Sequence, residues 1–420
     1  MQDLEAVEIC AGAGGQALGL ERAGFEHALA VELDPHACGT LRANRPAWKV
    51  AEGDVADQAL WRPRDYRDVA LLAGGVPCPP FTVAGKQLGA ADERDLFAWA
   101  VELCGAIRPR ALLLENVRGL STSRFSAYRQ HVLDRLRGLG YIAQWRLLQA
   151  SDSGVPQLRP RFVLVALQPA DAPWFGWPQP GDPPPTVGEA LSGMMGARGW
   201  PGTPSWARRA CAIAPTIVGG SKRHGGADLG PTRAKRAWAR MGVNAVGVAD
   251  APPSAADPAT FMPKLTCEMV ARLQGWQDRP GWEFAGAKTA RYRQIGNAFP
   301  PPVAAAVGAS VLRALRHDGE PLALVEQTEP VHDPVYAALR AHRGFLTVDQ
   351  IAAEVGRDRG EELDAPSVER HISHLSRDFE VEISQNGHGP AYRLGGIRAF
   401  LGQRDHARHE RFLKHRAKIS

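Results

Sequence analysis

The stretch best suited to chemistry is residues 74–81, which read GGVPCPPF and hold the thiol of Cys78. An apolar run over residues 69–73 predicts a strand that leads into it. Two glycines allow a sharp turn, and three prolines fix φ and remove backbone donors. We predict a stiff loop at the end of a strand, which suits a nucleophile that must be held in one place. Taken alone, the stretch is also compatible with a proline-rich turn that carries an incidental cysteine.

Three acidic side chains follow other predicted strands. A strand over residues 28–31 ends in Glu32, a strand-like piece over residues 48–51 precedes Asp54, and an apolar strand over residues 111–114 ends in Glu115. Open α/β sheets bind ligands at the carboxyl ends of their strands, so these acids are predicted to lie along one edge. Glu32 could accept from ribose hydroxyls and Asp54 from an adenine amino group. Exposed carboxylates at strand ends are common, so neither acid is specific by itself.

A glycine-rich turn, AGAGG, follows a predicted strand over residues 7–10 and opens an amphipathic helix that ends at Gly24. Strand, turn, helix, strand and acid in this order form the front half of a nucleotide-binding α/β fold. Gly12, Gly14 and Gly15 are too closely spaced for the GxGxxG pattern, which disfavours a dinucleotide oxidoreductase. A ligand without a pyrophosphate remains open, and S-adenosylmethionine is the obvious one.

Further elements extend this α/β pattern. Helices are predicted over residues 91–109 and 128–139, with strands over 142–148 and 162–166. The strand over residues 111–114 is wholly apolar, as expected for a parallel strand covered on both faces. A helix with a capping box is predicted from Thr266, and a Gly-Asn-Pro turn is predicted to lead into an alanine-rich helix near residue 303.

Between these elements, residues 169–263 are rich in proline, glycine and tryptophan and have weak periodicity. This composition predicts loops on a small irregular module. Lys222, Arg223 and Arg233 stand among its glycines, where they could meet phosphates. The same charges would also fit a solvated linker.

Composition narrows the classes of protein. With 420 residues the chain can form two or three domains with real cores. The net charge of +5 is compatible with a polyanionic partner but does not establish one. Six cysteines without a CxxC pair indicate neither a zinc site nor a disulfide framework, so a reduced cytosolic setting fits best. We predict neither secretion nor a membrane span, because the sequence has no leader pattern and no long uncharged apolar run.

Taken together, the motifs resemble the DNA (cytosine-5) methyltransferase family. In chain order over residues 7–315 they are AGAGG, Glu32, Gly53-Asp54, GGVPCPPF, DERDLF, Glu115-Asn116-Val117, QLRPR, LTCEMVARLQGW and IGNAFPPPVA. The resemblance implies an α/β fold with a Rossmann-like, S-adenosylmethionine-dependent methyltransferase domain over residues 1–168 and 263–318, and a small irregular target-recognition domain over residues 169–262. The chain departs from the family at Cys10 and Leu33, which are often aromatic, and at Pro79, which is glutamine in some members.

The resemblance also implies roles for individual residues. Carbon 5 of cytosine is too weak a nucleophile to take a methyl group, and addition of the Cys78 thiolate to carbon 6 would raise electron density there. Glu115 would contact ring nitrogen 3, with Arg159 and Arg161 holding Glu115 and the base oxygen. The base must leave the duplex for this attack, and residues 85–95 would form a closing lid. The implied cofactor site comprises Cys10, Ala11, Gly12, Gly14, Gly15, Glu32, Leu33, Asp54, Pro77 and Asn297, and the implied DNA contacts are Gln157, Lys222, Arg223 and Arg233.

Residues beyond 318 lie outside the resemblance. We predict a linker over 319–332, a winged-helix-like α+β domain over 333–396 and a basic tail over 397–420. The signals are a capping box from Thr347 to Gln350, a helix stop at Gly356, a third helix opened by Pro366 and a hairpin over residues 379–394. The third helix places Arg370, His374 and Arg377 on one face, which is expected to contact DNA. A winged-helix protein-interaction module is the alternative.

The expected function is methylation of cytosine in a specific duplex sequence, in a restriction-modification system or a solitary relative. We expect a monomer on double-stranded DNA, in the cytoplasm of a prokaryote and associated with its nucleoid, with a cognate restriction endonuclease as genetic partner. A catalytically idle DNA-binding regulator is disfavoured because Cys78, Glu115 and both QLRPR arginines are present. An RNA-directed relative is disfavoured by the large recognition stretch and the extension.

Overall fold

The computed structural model describes residues 4–76, 96–220, 226–276, 281–331, 333–360, 362–376, 378–386 and 389–398. The strands in these ranges are β1 (Glu5–Ile9), β2 (Glu26–Glu32), β3 (Val50–Glu52), β4 (Leu71–Gly74), β5 (Ala111–Val117), β6 (Ile142–Gln149), β7 (Pro160–Leu167), β8 (Leu346–Thr347), β9 (Phe379–Asn386) and β10 (Gly389–Ile397). The helices are α1 (Gly15–Ala23), α2 (Pro35–Asn44), α3 (Leu96–Ile107), α4 (Ser126–Gly138), α5 (Val187–Met195), α6 (Thr203–Arg209), α7 (Thr232–Arg240), α8 (Cys267–Leu273), α9 (Lys288–Asn297), α10 (Pro301–Arg316), α11 (Pro334–His342), α12 (Val348–Arg359) and α13 (Ala365–Leu375).

A seven-stranded sheet in the order β3-β2-β1-β4-β5-β7-β6 forms the centre of the molecule. Strands β3, β2, β1, β4 and β5 run parallel, whereas β7 pairs antiparallel with both β5 and β6. The apolar strand β5 is covered on both faces as predicted, but it is parallel only to its neighbour β4. Reversal of the chain direction at one edge makes the sheet mixed, and the α/β class is confirmed.

Residues alternate along β5 between two apolar layers. Leu112 and Leu114 pack with α3 and α4 on one face, and Ala111 and Leu113 pack with α1 and α10 on the other. Helices α1 and α10 approach closely at Gly19, where a Cβ would stand only 2.4 Å from the Cβ of Ala304. The late helix α10 thereby returns to the first half of the sheet.

Residues Lys288–Arg316, which span α9 and α10, contain a window long and apolar enough to cross a membrane by length and composition. That window is 67% buried inside the fold, and α10 packs along α1. The apolar character of this stretch is therefore explained by its place in the core. The sequence predicted only a turn where α9 lies, because the polar residues of α9 give no clear period.

The part predicted as irregular loops contains three helices, α5, α6 and α7, around buried Trp206 and Trp238. These helices are only seven to nine residues long, and the glycines and prolines around them leave no sustained period. At α8 the hydroxyl of Thr266 accepts from the N–H of Met269, 3.3 Å away. The predicted capping box there is wrong, because methionine has no acceptor that could reach back to the Thr266 N–H.

The C-terminal unit contains α11, α12, α13 and a three-stranded sheet in the order β8-β10-β9. The predicted capping box from Thr347 to Gln350 is confirmed. The predicted stop at Gly356 is wrong, since α12 continues to Arg359 and ends at Gly360, whose φ of 65° is left-handed. Strand β8 is too short to leave a sequence signal.

Residues 322–331, predicted as part of a linker, lie against β6 and α4 and are called the strap here. The carboxamide of Gln327 pairs with both backbone groups of Trp145 and so covers the free edge of β6. The Glu329 carboxylate forms two 2.8 Å hydrogen bonds with Arg129 of α4. Apolar packing continues from the sheet through α4 to Tyr336 and Phe379 of the C-terminal unit. The unit is thus fixed against α4.

Candidate active site

The carboxyl ends of β1, β2, β4 and β5 surround a cavity of about 240 Å³. Each parallel strand ends at this edge of the sheet, so the acids that follow the strands come together there. Among the residues expected in the site, the cavity is lined by Cys10, Ala11, Gly12, Gly15, Glu32, Leu33, Asp54, Glu115 and Asn297. The glycine-rich turn forms one wall, and the turn between α9 and α10 forms another.

Glu32 organises the wall made by the glycine-rich turn. Its carboxylate accepts from the backbone N–H of Gly12 at 2.7 Å and of Asp34 at 2.8 Å. Burial raises the pKa of Glu32, while these two N–H donors oppose the rise. A carboxylate offers about four acceptor positions, so it can still take a hydroxyl from a ligand. Beside it, Leu33 is 44% exposed and offers an apolar surface at the rim.

Two residues of the expected cofactor site are not in the cavity wall described here. A Cβ on Gly14 would stand 2.7 Å from Leu41 and 2.8 Å from Trp282, so Gly14 faces the packed side of the turn. It is the N-cap of α1, with a left-handed φ of 89°, and its contact with the ligand stays a prediction. Pro77 lies outside the described residues.

Glu115 lies at the carboxyl end of β5 and is 8% exposed. The Nε atom of Arg161 is 2.5 Å from its Oε1, but the N–H does not point along that line, so the contact is an ion pair rather than a linear hydrogen bond. Burial raises the pKa of Glu115, and the charges of Arg161 and Arg159 act against that rise. The group can therefore hold a proton more readily than an exposed glutamate.

Arg159 does not contact Glu115. Its guanidinium is 1% exposed and donates to the carbonyls of Ile217 at 2.6 Å, Gly296 at 2.7 Å and Ala298 at 2.9 Å. These contacts join the recognition part to the turn before α10. The expected role of Arg159 beside Glu115 is corrected to that of a clamp, because the carbonyls occupy both of its terminal nitrogens.

Gln157 is fully buried, so its expected contact with DNA is wrong. Its Nε2 donates to the carbonyl of Leu273 at 3.2 Å and to Gln274, and its Oε1 accepts from the N–H of Ile217 at 2.9 Å. Both ends of its carboxamide therefore bond to groups in the protein interior. The residue supports the same junction as Arg159.

Cys78 and the expected lid over residues 85–95 lie outside the described residues. The chain enters this loop at Gly75, where a Cβ would stand 3.6 Å from Oε2 of Glu115. The Asn116 amide donates to the carbonyl of Val76 at 3.1 Å and ties the loop entrance to β5. Burial raises the pKa of Cys38 to about 12 and of Cys267 to about 11, which keeps both thiols protonated at neutral pH.

The other expected DNA contacts are spread over two parts of the chain. Arg233 is exposed on α7, and Arg370 and His374 are exposed on α13. Lys222, Arg223 and Arg377 lie outside the described residues.

Five polar residues of the cavity wall were not among the expected site residues: Glu8, Gln16, Asp34, Arg293 and Gln294. Gln16 is only 3% exposed although it directly follows the glycine-rich turn. A polar residue on the buried face of an amphipathic helix is the signal that could have identified it.

Comparison with known proteins is consistent with this geometry. The model of the C-5 cytosine-specific DNA methylase family matches residues 4–197 and 220–313. The chain is a member of the C-5 cytosine-specific DNA methylase family, and the expected class of enzyme, a DNA cytosine-5 methyltransferase, is confirmed.

Two relatives show how far the similarity extends. The chain is 61% identical to Type II methyltransferase M.NaeI of Lentzea aerocolonigenes over 420 residues, which is all of both chains. It is 50% identical to Type II methyltransferase M.NgoMIV of Neisseria gonorrhoeae over 316 residues, which is 74% of this chain and 98% of that protein. A solved Escherichia coli structure, described as a DNA modification methyltransferase of a prophage, covers 75% of this chain with a TM-score of 0.51 at 22% identity and supports the fold alone.

Proposed function

We propose that this enzyme methylates carbon 5 of a flipped cytosine in duplex DNA, with Cys78 as nucleophile, Glu115 as the group that activates the ring and S-adenosylmethionine as methyl donor. The observation that carries the proposal is the buried Glu115–Arg161 pair beside the entrance of the Cys78 loop. An acid with a raised pKa at this point can share a proton with ring nitrogen 3. Arg161 would fix the orientation of that acid.

The cavity residues fit S-adenosylmethionine, which when bound supplies the methyl group. Glu32 can accept from the ribose hydroxyls, Asp54 from the adenine amino group, and Leu33 can pack on the adenine ring. Glu8 and Gln16 add buried polar atoms without a hydrogen-bond partner in the described part of the protein. Such atoms are costly unless a polar ligand meets them, so the cavity is suited to a polar ligand rather than an apolar one.

The chain's own residues would act on cytosine in a balanced sequence. The Cys78 thiolate would add to carbon 6, and a proton on Glu115 would stabilise the charge that develops at nitrogen 3. Carbon 5 would then take the methyl group from the donor sulfonium, which is left as a neutral thioether. Transfer of the carbon 5 proton to water and return of the nitrogen 3 proton to Glu115 would expel the Cys78 thiolate and restore the ring. Positive potential at the site would favour the thiolate form of Cys78.

Replacement of Cys78 tests the nucleophile. Cys78→Ser should abolish turnover, because a hydroxyl is far less nucleophilic at neutral pH, and should leave cofactor binding near normal. The measurement is covalent trapping on duplex DNA that contains 5-fluorocytosine. Cys211→Ser is the matched control, since Cys211 is an exposed cysteine away from the cavity. A trapped complex in the Cys78→Ser protein would overturn the assignment.

Replacement of Glu32 or Asp54 tests the cofactor site. Each change removes a charged acceptor, so Glu32→Ala and Asp54→Ala should weaken binding of S-adenosylmethionine in calorimetry. Glu52→Ala is the control, because Glu52 lies next to the site on β3 but bonds to Arg42 at the surface. Unchanged affinity in both cavity variants would show that the cofactor binds elsewhere.

We further propose that the enzyme belongs to a Type II restriction-modification system of the prokaryotic cytoplasm, acts as a monomer on DNA near the nucleoid and has a cognate restriction endonuclease. The names of the two relatives, both Type II methyltransferases, support the assignment to a restriction-modification system. Methylation mapping of DNA from a host that expresses the chain would identify the sequence. Protection of that DNA from an endonuclease that cuts the mapped sequence is the expected result, and unprotected DNA would contradict the proposal.

The C-terminal unit is proposed to be a winged helix that adds affinity for DNA through α13. Its element order, three helices with β8-β10-β9, supports the fold, and exposed Arg370 and His374 support the contact. The contact must be local, because residues 333–398 contain eleven acidic and eight basic residues. Truncation would also remove strap contacts with α4 and β6, so point variants are the better test of DNA binding by α13.

Salt titration of DNA binding separates the two interpretations of α13. Arg370→Gln combined with His374→Gln should weaken binding at moderate salt and reduce the salt slope by about 1 per lost phosphate contact. Arg343→Gln, at the end of α11, is the matched control. An unchanged affinity and slope in the α13 variant would favour a protein-interaction module.

A further inference from the structure

The cavity contains a buried carboxamide that the proposed chemistry does not use. Gln16 is 3% exposed, and neither its Nε2 nor its Oε1 has a hydrogen-bond partner among the residues that the structure describes. Proteins rarely bury both ends of an amide unpaired, because the desolvation cost is not recovered. Gln16 lines the cavity, so a ligand there can supply the missing partner.

The surroundings of Gln16 indicate the hydrogen-bonding character of that partner. Around the position of a Gly75 Cβ stand three oxygens: Oε2 of Glu115 at 3.6 Å, the carbonyl of Cys10 at 3.8 Å and Oε1 of Gln16 at 3.9 Å. Glu8 lines the same cavity; its Oε2 pairs with His27, and its Oε1 has no partner within the described part of the chain. A group of acceptors suits a ligand group that carries several N–H donors.

The position of Gln16 within the cavity indicates which end of the methyl donor it binds. The adenosine end of the methyl donor is assigned above to Glu32, Leu33 and Asp54, and the reacting end must face Glu115. Gln16 lies on the Glu115 side of the cavity, together with Gly75. We infer that the Gln16 carboxamide binds the amino-acid end of the donor, with Oε1 accepting from its α-ammonium group. This inference rests on the proposed cofactor.

Calorimetry on Gln16→Met tests the assignment, because methionine keeps the length of the side chain and removes both polar atoms. Binding of S-adenosylhomocysteine should weaken at least about 10-fold, as expected for a lost hydrogen bond to a charged group. Binding of 5′-methylthioadenosine, which lacks the amino-acid end, should change less than about 2-fold, and so should binding of the deaminated analogue of S-adenosylhomocysteine. The variant should match or exceed wild type in thermal unfolding without ligand, since an unpaired buried amide is removed.

The outcomes are distinct. Equal loss for all three ligands would show that Gln16 only shapes the pocket, and retained affinity for S-adenosylhomocysteine would show that it does not meet the donor; either result overturns the inference. A lower thermal stability without ligand would assign Gln16 a purely structural role and would also overturn it. If wild type bound none of the ligands, the proposed cofactor itself would fail.

Discussion

The buried ion pair between the strap and α4 gives the sharpest test of how the extension is attached. Arg129 and Glu329 have side chains that are 5% and 8% exposed, and they share two 2.8 Å hydrogen bonds. The third nitrogen of Arg129 donates to the carbonyls of Leu120 and Thr122, just beyond β5. Glu329→Gln would leave a buried guanidinium without its counter-charge, which costs about 3–5 kcal/mol when a buried pair loses one partner. We expect about 3 kcal/mol, since glutamine keeps one acceptor oxygen.

The strap also offers a matched control. Glu326 bonds to Arg137 at 3.0 Å, but the two side chains are 70% and 43% exposed. Glu326→Gln should cost no more than about 1 kcal/mol, because solvent screens exposed pairs. Urea titration of the full chain measures both free energies of unfolding. If Glu329→Gln costs no more than Glu326→Gln, the strap is not anchored by this pair.

Two further predictions concern packing and pH. Gly19→Ala should destabilise the protein by about 1–3 kcal/mol in the same urea assay, because the new Cβ would stand 2.4 Å from the Cβ of Ala304. Gly138→Ala is the control and should be neutral or stabilising, because a Cβ there would have no atom within 4 Å. Equal effects of the two changes would refute the close α1–α10 contact. Burial lowers the pKa of His131 from 6.5 to about 4. Below pH 6.5 the unfolded chain therefore binds a proton that the folded chain does not, and stability should fall as the pH drops from 6.5 toward 4. His131→Leu should flatten this decline, and an unchanged slope would contradict it.

Sequence alone predicted the elements whose signals are local. The apolar run in β5, the glycine-rich turn before α1 and the Thr347 cap of α12 depend on residues only a few positions apart. The carboxyl-end rule for α/β sheets then places Glu32, Asp54 and Glu115 along one edge. Helices α2, α5, α6, α7 and α9 were missed. Glycine, proline or polar residues obscure the period of most of them, whereas α7 is short and buries only Trp238.

Tertiary structure decided which of the motif residues meet. Arg159 and Arg161 stand two positions apart in QLRPR, yet one binds carbonyls 58, 137 and 139 residues away while the other pairs with Glu115. Gln157 of the same motif is buried in the junction with α8. The motif specifies that the groups are present, but distant segments determine the partner of each.

The strap is a second case in which the sequence does not predict the partners of its polar residues. Its composition is that of a linker, but Glu329 pairs with Arg129, which lies 200 residues earlier in the chain, and Gln327 bonds to the edge of β6. No local pattern encodes either contact, because each requires an unpaired group on a folded surface that exists only after the sheet and α4 have assembled. The sequence by itself therefore determined the class of enzyme and the residue types of its site. The assembled fold decided that the strap would pair with the buried Arg129 and with the free edge of β6.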